Sequence, residues 1–289
     1  LSLSEISTAI EELQKVIRDL IDTAKSDEEK EKQEAEKLAK AKEDCQSAIQ
    51  TLEGTIESQE ADYEKCLNVL NVLKAKLSEI DNAISQMKVE YTEIEKKLQE
   101  LIDMQSDTRA DNSEIIENLK KKLEILSSNI IILESQRDLI SGQIEQLEDA
   151  MQIYDSLIKK AIDIRNQLPT LLASATAIDD VESMTRLATL ASNELSSNGV
   201  DVFNQYVGIY NVVRDNMSIL IDNVNIVYNQ ANSLQSEVEN ELTAINQLII
   251  DETEVVARYD MKGNRVDSTY KGVQIIRLKN GKIIKLNVK

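Results

Sequence analysis

Apolar residues recur over the first 250 positions at alternating intervals of three and four, the spacing of a coiled-coil seam. One run passes through Leu3, Ile6, Ile10, Leu13, Ile17, Leu20 and Ala24. It resumes in the same phase at Leu38, Ala41, Cys45, Ala48 and Leu52, beyond a charged stretch from Asp27 to Lys37. A second run extends from Tyr63 and Cys66 to Leu101, a third from Ile116 to Leu168 and a fourth from Phe203 to Leu248. These runs predict helices over about 3–52, 58–105, 113–168 and 200–250. Each would extend about 75 Å at 1.5 Å per residue. Four near-equal rods with short connections predict a mainly α fold, a long antiparallel coiled coil or four-helix bundle over residues 1–253.

The breaks between runs differ in kind. At Gly54 the register slips from Leu52 to Ile56. Read as a chain reversal, this pairs residues whose numbers sum to 111, which sets Cys45 opposite Cys66 and makes a disulfide feasible. Read as a stutter, it leaves one helix of about 100 residues with the two sulfurs about 30 Å apart. The facing cysteines favour the reversal. Between the second and third runs lies QSDTRADNS, where Asp111 and Glu114 have the spacing of a capping box. Pro169 ends the third run. A short helix over 180–196 follows, with Asp179 and Glu182 to cap it and Asn198-Gly199 to end it. Residues 170–178, TLLASATAI, are apolar without heptad spacing and read as the cover of a bundle end, or as a membrane-active tip.

From Glu254 the pattern changes to alternation. Asn280-Gly281 between GVQIIRLK and KIIKLNVK predicts a hairpin with a two-residue turn. That register sets Val273 against Val288, Ile275 against Leu286 and Arg277 against Ile284, so Val273, Ile275, Ile284, Leu286 and Val288 form the expected tail core. A turn at Met261–Asn264 joins Val255–Tyr259 to Arg265–Val266. A small antiparallel sheet over 254–289 results, too small to stand alone in water.

Charge divides the chain at the same place. The tail has nine Lys/Arg against three Asp/Glu, whereas the chain as a whole is at −19, which leaves −25 on residues 1–253. So acidic a body disfavours nucleic-acid partners. The absence of histidine excludes His-based triads, His general bases and His ligands, and two cysteines cannot make a four-cysteine zinc site. No GxxxxGK[ST] or GxGxxG string occurs. No catalytic, cofactor or metal site is expected, and the 52 acidic residues read as solvated helix faces. No apolar run reaches the length of a membrane span. Asparagines from Asn211 to Asn246 replace the Glu and Lys of the first half, as a solvated surface, an adhesive face or interhelical amides. The chain opens on Leu1, which reads as a processed or truncated product.

Tyr259-Asp260, Gly263, Val266, Lys271-Gly272-Val273, Ile275-Ile276-Arg277, Asn280-Gly281-Lys282 and Lys285 stand in an order that resembles the C-terminal sorting tail of type IX-secreted proteins of Bacteroidota. That resemblance covers residues 254–289 only. It implies a β module that directs export across the outer membrane, with the secretion machinery as a partner and the surface of a Gram-negative cell, or the medium, as the location. Gln274 departs from the pattern, which usually has Tyr there, and the family module is about twice as long. The expectation is a non-enzymatic exported scaffold, spacer or adhesion-type protein that acts through protein partners or self-association of its helices. A membrane-active helical toxin and an intracellular coiled-coil protein are the rivals.

Overall fold

The computed structural model describes residues 2–105 and 112–288, with the side chains of Leu248 and Ile249 left aside. The Asp111–Glu114 capping box therefore falls partly outside the described residues. Three long helices, α1 (Leu3–Gln105), α2 (Ser113–Ser174) and α3 (Ile178–Ile249), precede a short 3-10 turn at Glu252–Glu254. Strands β1 (Val255–Tyr259), β2 (Arg265–Val266), β3 (Gly272–Leu278) and β4 (Ile283–Val288) follow. The fold is the expected mainly α class, packed long helices with a small C-terminal antiparallel sheet. Its rods number three rather than four, because two expected breaks are not made.

The first is at Gly54, where α1 continues. Ile49, absent from the expected seam, is buried, and Ala48 is only half-buried. From Ile49 the buried or half-buried positions run Leu52, Ile56, Gln59, Tyr63, Cys66 and Leu70, in strict alternation of three and four. The phase change lies a turn earlier, as a double step of four at Ala41, Cys45 and Ile49. Gly54 sits off this stripe in open space. A mid-helix glycine costs about 1 kcal/mol relative to alanine, too little to break a helix whose Leu52 and Ile56 are both wholly buried. The second unmade break is Asn198-Gly199, across which the expected short helix merges with the fourth run into α3. Asp179 then lies inside the first turn of α3 rather than at its cap. Pro169 lies inside α2, which continues to Ser174.

The chain forms two compact units, Leu1–Leu70 with Leu147–Ile209, and Asn71–Gln146 with Tyr210–Lys289. In the first, Leu52 and Ile56 pack with Tyr154, Ile158, Ala191 and Leu195. Cys45 and Ile49 pack with Leu168, Leu172, Val181 and Ala188 around the α2–α3 turn. The apolar stretch 170–178 ends α2, forms that turn at 175–177 and opens α3. Its Leu172 is buried and Ala175 packs on the same cluster, which is what a cover for this end requires.

In the second unit α2 runs antiparallel to both neighbours. Asp81 and Lys88 of α1 meet Arg137 and Glu134 of α2. Across α2 and α3, Gln143 meets Asn216, Gln136 meets Asn223, Asn129 meets Gln230 and Lys122 meets Glu237. Each step is seven residues down one helix and seven up the other, so one polar ladder tracks the seam. Here the fourth-run asparagines Asn216 and Asn223 are interhelical amides, at 3.3 and 3.2 Å from their glutamines.

The sheet order is β2-β1-β3-β4, all antiparallel. Its hairpin register differs from the expected one by one residue. Gln274 pairs with Leu286, Ile276 with Ile284 and Arg277 with Ile283. The cause is the turn. Gly281 has φ +83 and, among the described residues, none other than glycine has positive φ, so Asn280 does not take its place in a type I′ turn. The Gly281 amide instead bonds the Leu278 carbonyl, and the Leu278 amide bonds the Lys282 carbonyl, closing a three-residue loop ended by a left-handed glycine. A shift of one residue exchanges the faces. Ile276, Leu278, Ile284 and Leu286 are the buried set, with Val288 and Ile250 against them. Val273 and Ile275, expected in that core, lie half-buried on the opposite face.

Candidate functional site

The tail residues that carry the sorting-tail resemblance are, in this fold, divided between turns and strands. Asp260 ends β1, and its Oδ1 accepts from the amides of Lys262 (2.9 Å) and Asn264 (2.8 Å). The Gly263 amide bonds the Asp260 carbonyl, and Gly263 takes φ +84. Those donors, the Asn264 amide foremost, hold the Asp260 carboxyl below its ordinary range. Tyr259 pairs across the sheet with Arg265 and Ile275, and Val266 with Arg258. Lys271 precedes β3, and Gly272 opens it with φ +112. Asn280 Oδ1 accepts from the Lys282 amide at 2.9 Å and steadies the last loop. Lys271, Asn280, Gly281 and Lys282 are all exposed.

Gln274, the departure from the family pattern, is wholly buried. Its Oε1 accepts from Arg258 at 2.8 Å, and its Nε2 donates to the carbonyls of Tyr270 (2.7 Å) and Ser268 (3.3 Å). Arg258, itself buried, turns its other nitrogen to Glu252. This network satisfies a buried guanidinium from both sides. Its sequence signal was weak, because the expected register set Gln274 on the face opposite the core and gave Arg258 no face.

The two cysteines do not meet. Both are free and buried on one helix, 21 residues apart, which is about 30 Å. The facing-cysteine reading is thus overturned with the reversal it supported. Burial, followed by the nearby Asp62, pushes the Cys66 thiol up to about 11. The Cys66 carbonyl accepts from Tyr206 Oη at 2.6 Å. Two turns before Cys66, the buried Gln59 takes a 2.5 Å bond from Tyr154 Oη, and Tyr154 stacks on Tyr63 at 5.9 Å. Burial raises the Tyr154 phenol to about 12. Gly199 of α3 leaves the space that Gln59 fills. Gln59 was missed because it is not apolar, and Gly199 because it reads as a helix end. Their signal is position, three beyond Ile56 and four beyond Leu195.

Two surface features complete the inventory. Residues 3–37 of α1 are exposed throughout, so its first heptads, from Leu3 to Leu20, carry an uncovered apolar stripe. In the second unit a cleft of about 1060 Å³ lies between the ends of α1 and α3 and strand β4. Its walls mix charges, including Lys97 and Glu239 paired at 2.5 Å, with Lys285 and Ile283 of β4. Among the described residues no group of three or more His, Cys, Asp or Glu is placed to hold a metal ion, and no helix is long and apolar enough to cross a membrane.

Comparison with protein-family models and with curated proteins gives no match. Among solved structures the chain is similar to a computationally designed three helix bundle, at 14% identity over 75% of this chain and 99% of that one, with a TM-score of 0.28. At that score the bundle fold rests on the chain's own packing.

Proposed function

We propose that this chain is a non-enzymatic helical scaffold or spacer, exported to the cell surface or medium, with its C-terminal sheet as a sorting or anchoring module. One observation carries the body of this reading. The buried positions of all three helices are spent on heptad seams, and the second unit's seam is held in register by the Gln143–Asn216 to Lys122–Glu237 ladder. Such packing stiffens helices and leaves surface residues for recognition. The export half is supported by the order of Asp260, Gly263, Lys271-Gly272 and Asn280-Gly281-Lys282 at the C-terminus. Asp260, Gly263, Gly272, Asn280, Gly281 and Lys282 each have a local role in a turn or strand end, so the motif order serves the sheet itself as well as any receptor.

Fractionation and surface proteolysis of cells that express the intact gene test the location. The scaffold is expected outside or on the outer surface, and confinement to the cytoplasm overturns the export half. The membrane-active rival predicts leakage of dye-filled vesicles by the purified chain. Leakage would replace the scaffold reading, whereas intact vesicles at neutral and acidic pH retain it.

A further inference from the structure

The uncovered stripe at the start of α1 has a chemistry of its own. Its seam positions are Leu3, Ile6, Ile10, Leu13, Ile17, Leu20 and Ala24. They continue upstream, in phase, the stripe that farther along α1 packs on α2 and α3. Those partners end at the α2–α3 turn, where Leu172 of α2 and Ala175 share a cluster with Leu38 and Ala41. Upstream of Leu38 the seam becomes Asp27, Glu31 and Glu34, three acidic residues facing water. Lys and Glu four apart, as at Glu28–Lys32 and Lys30–Glu34, support a lone helix there. Beyond this solvated spacer the apolar heptads reappear, with Leu13 60% and Leu20 64% exposed.

We infer that residues 3–24 are a self-association cassette, which pairs with the same segment of a second copy of this chain as a parallel two-stranded coiled coil. Three features select that occupant. In two of the three heptads, Ile10 with Leu13 and Ile17 with Leu20 place Ile at a and Leu at d, the combination that favours two parallel strands, while Leu3 with Ile6 at the end of the helix reverses it. The flanking e and g positions, Ser7, Ala9, Gln14, Val16, Ile21 and Thr23, are all uncharged, so a copy meets no like charge across the seam. Val16 of one copy would face Ile21 of the other and widen the apolar contact. The acidic seam from Asp27 to Glu34 sets like charges together in any longer pairing, which confines the contact to these three heptads. A lipid surface fits less well, because residues 3–24 hold five acids against Lys15 and Arg18 and would be repelled by anionic headgroups. Folding of the helix is not part of the association step, since α1 is continuous with its packed portion. This inference rests on α1 alone and stands independently of the export reading.

Sedimentation equilibrium of the full chain tests it. The chain is expected to dimerise with concentration, and the pair Leu13→Glu with Ile17→Glu to weaken the dimer at least about 100-fold, at a tenfold per 1.4 kcal/mol. Both positions are exposed, so the variant's helical content and melting should match the parent's. Ile17→Cys should cross-link to itself under oxidation, because a parallel seam sets that position against its own copy, while Cys45 and Cys66 stay buried. A chain that stays monomeric up to about 100 μM, well above the micromolar affinity worth about 8 kcal/mol, overturns the proposal. So does a dimer unaffected by the double substitution. Association without the Ile17→Cys cross-link overturns the parallel pairing. Binding to neutral phosphatidylcholine vesicles by a monomeric chain assigns the stripe to lipid instead.

Discussion

Gly199 of α3 lies beneath Gln59 of α1, so close that a Cβ on the glycine would stand 2.5 Å from Gln59 Oε1. The same oxygen receives the buried Tyr154 hydroxyl. Gly199→Ala therefore forces the amide from its bond. The loss of a buried hydrogen bond, about 1–3 kcal/mol, opposes a helix-propensity gain of about 1 kcal/mol. Gly199→Ala should destabilise the chain by about 1 kcal/mol in urea melts. In a Gln59→Ala background the same substitution should stabilise it by up to about 1 kcal/mol. Additivity of the two substitutions would refute the coupling.

The cysteines make a chemical prediction. Denatured without reductant, the chain should show two free thiols, and the folded chain should react slowly with a thiol reagent, because both sulfurs are buried. One disulfide per chain would restore the discarded reversal at Gly54.

The Cys66 thiol and the Tyr154 phenol are both held neutral by burial, at about 11 and about 12. An unfolded thiol ionises near 9. Between these values the unfolded chain has lost a proton that the folded chain keeps, so stability falls as pH rises. The melting temperature should be level from neutral pH to about 9 and decline above it. Cys66→Ala should flatten the decline between 9 and 11. An unchanged slope in that variant would assign the alkaline loss to other groups.

Arg137 occupies a seam position between Leu133 and Ile140, and its guanidinium grips Asp81 with two bonds of 2.5 and 2.9 Å. Removing one partner leaves a half-buried charge, whereas replacing the cation by an apolar residue fills a seam. Asp81→Ala should therefore cost about 1–2 kcal/mol, and Arg137→Leu less than about 0.5 kcal/mol. Chemical denaturation of the two variants compares them directly, and a larger loss from Arg137→Leu would show that the pair itself carries the stability.

Asp260 organises the β1–β2 turn through the Lys262 and Asn264 amides. Its depressed carboxyl titration means that this support is complete above the ordinary carboxylate range and disappears as pH falls through the folded value. Amide exchange at Lys262 and Asn264 should accelerate on Asp260→Ala and, in the parent, on acidification. Unchanged exchange in both cases would place the turn's stability in Gly263 alone.

Much of this architecture is written locally. A repeat of three and four is set by the helix itself, so the seams of α2 and α3, the end of the helical body and the bounds of β1 and β2 follow from spacing and turn residues. The sequence by itself determined a helical body, its apolar faces and a small sheet after it. Tertiary structure decided what depends on a partner elsewhere in the chain. Gly54 and Gly199 look like breaks until Leu52, Ile56 and Gln59 are seen packed across them. The cysteines look paired until α1 is seen to continue. In the sheet, one left-handed glycine at position 281 rather than two adjacent left-handed residues lengthened the loop by a residue and exchanged Ile275 for Ile276 in the core. A glycine inside a helix costs about 1 kcal/mol at each of Gly54 and Gly199, and burial of side chains such as Leu52 and Ile56 across the fold is worth more than that.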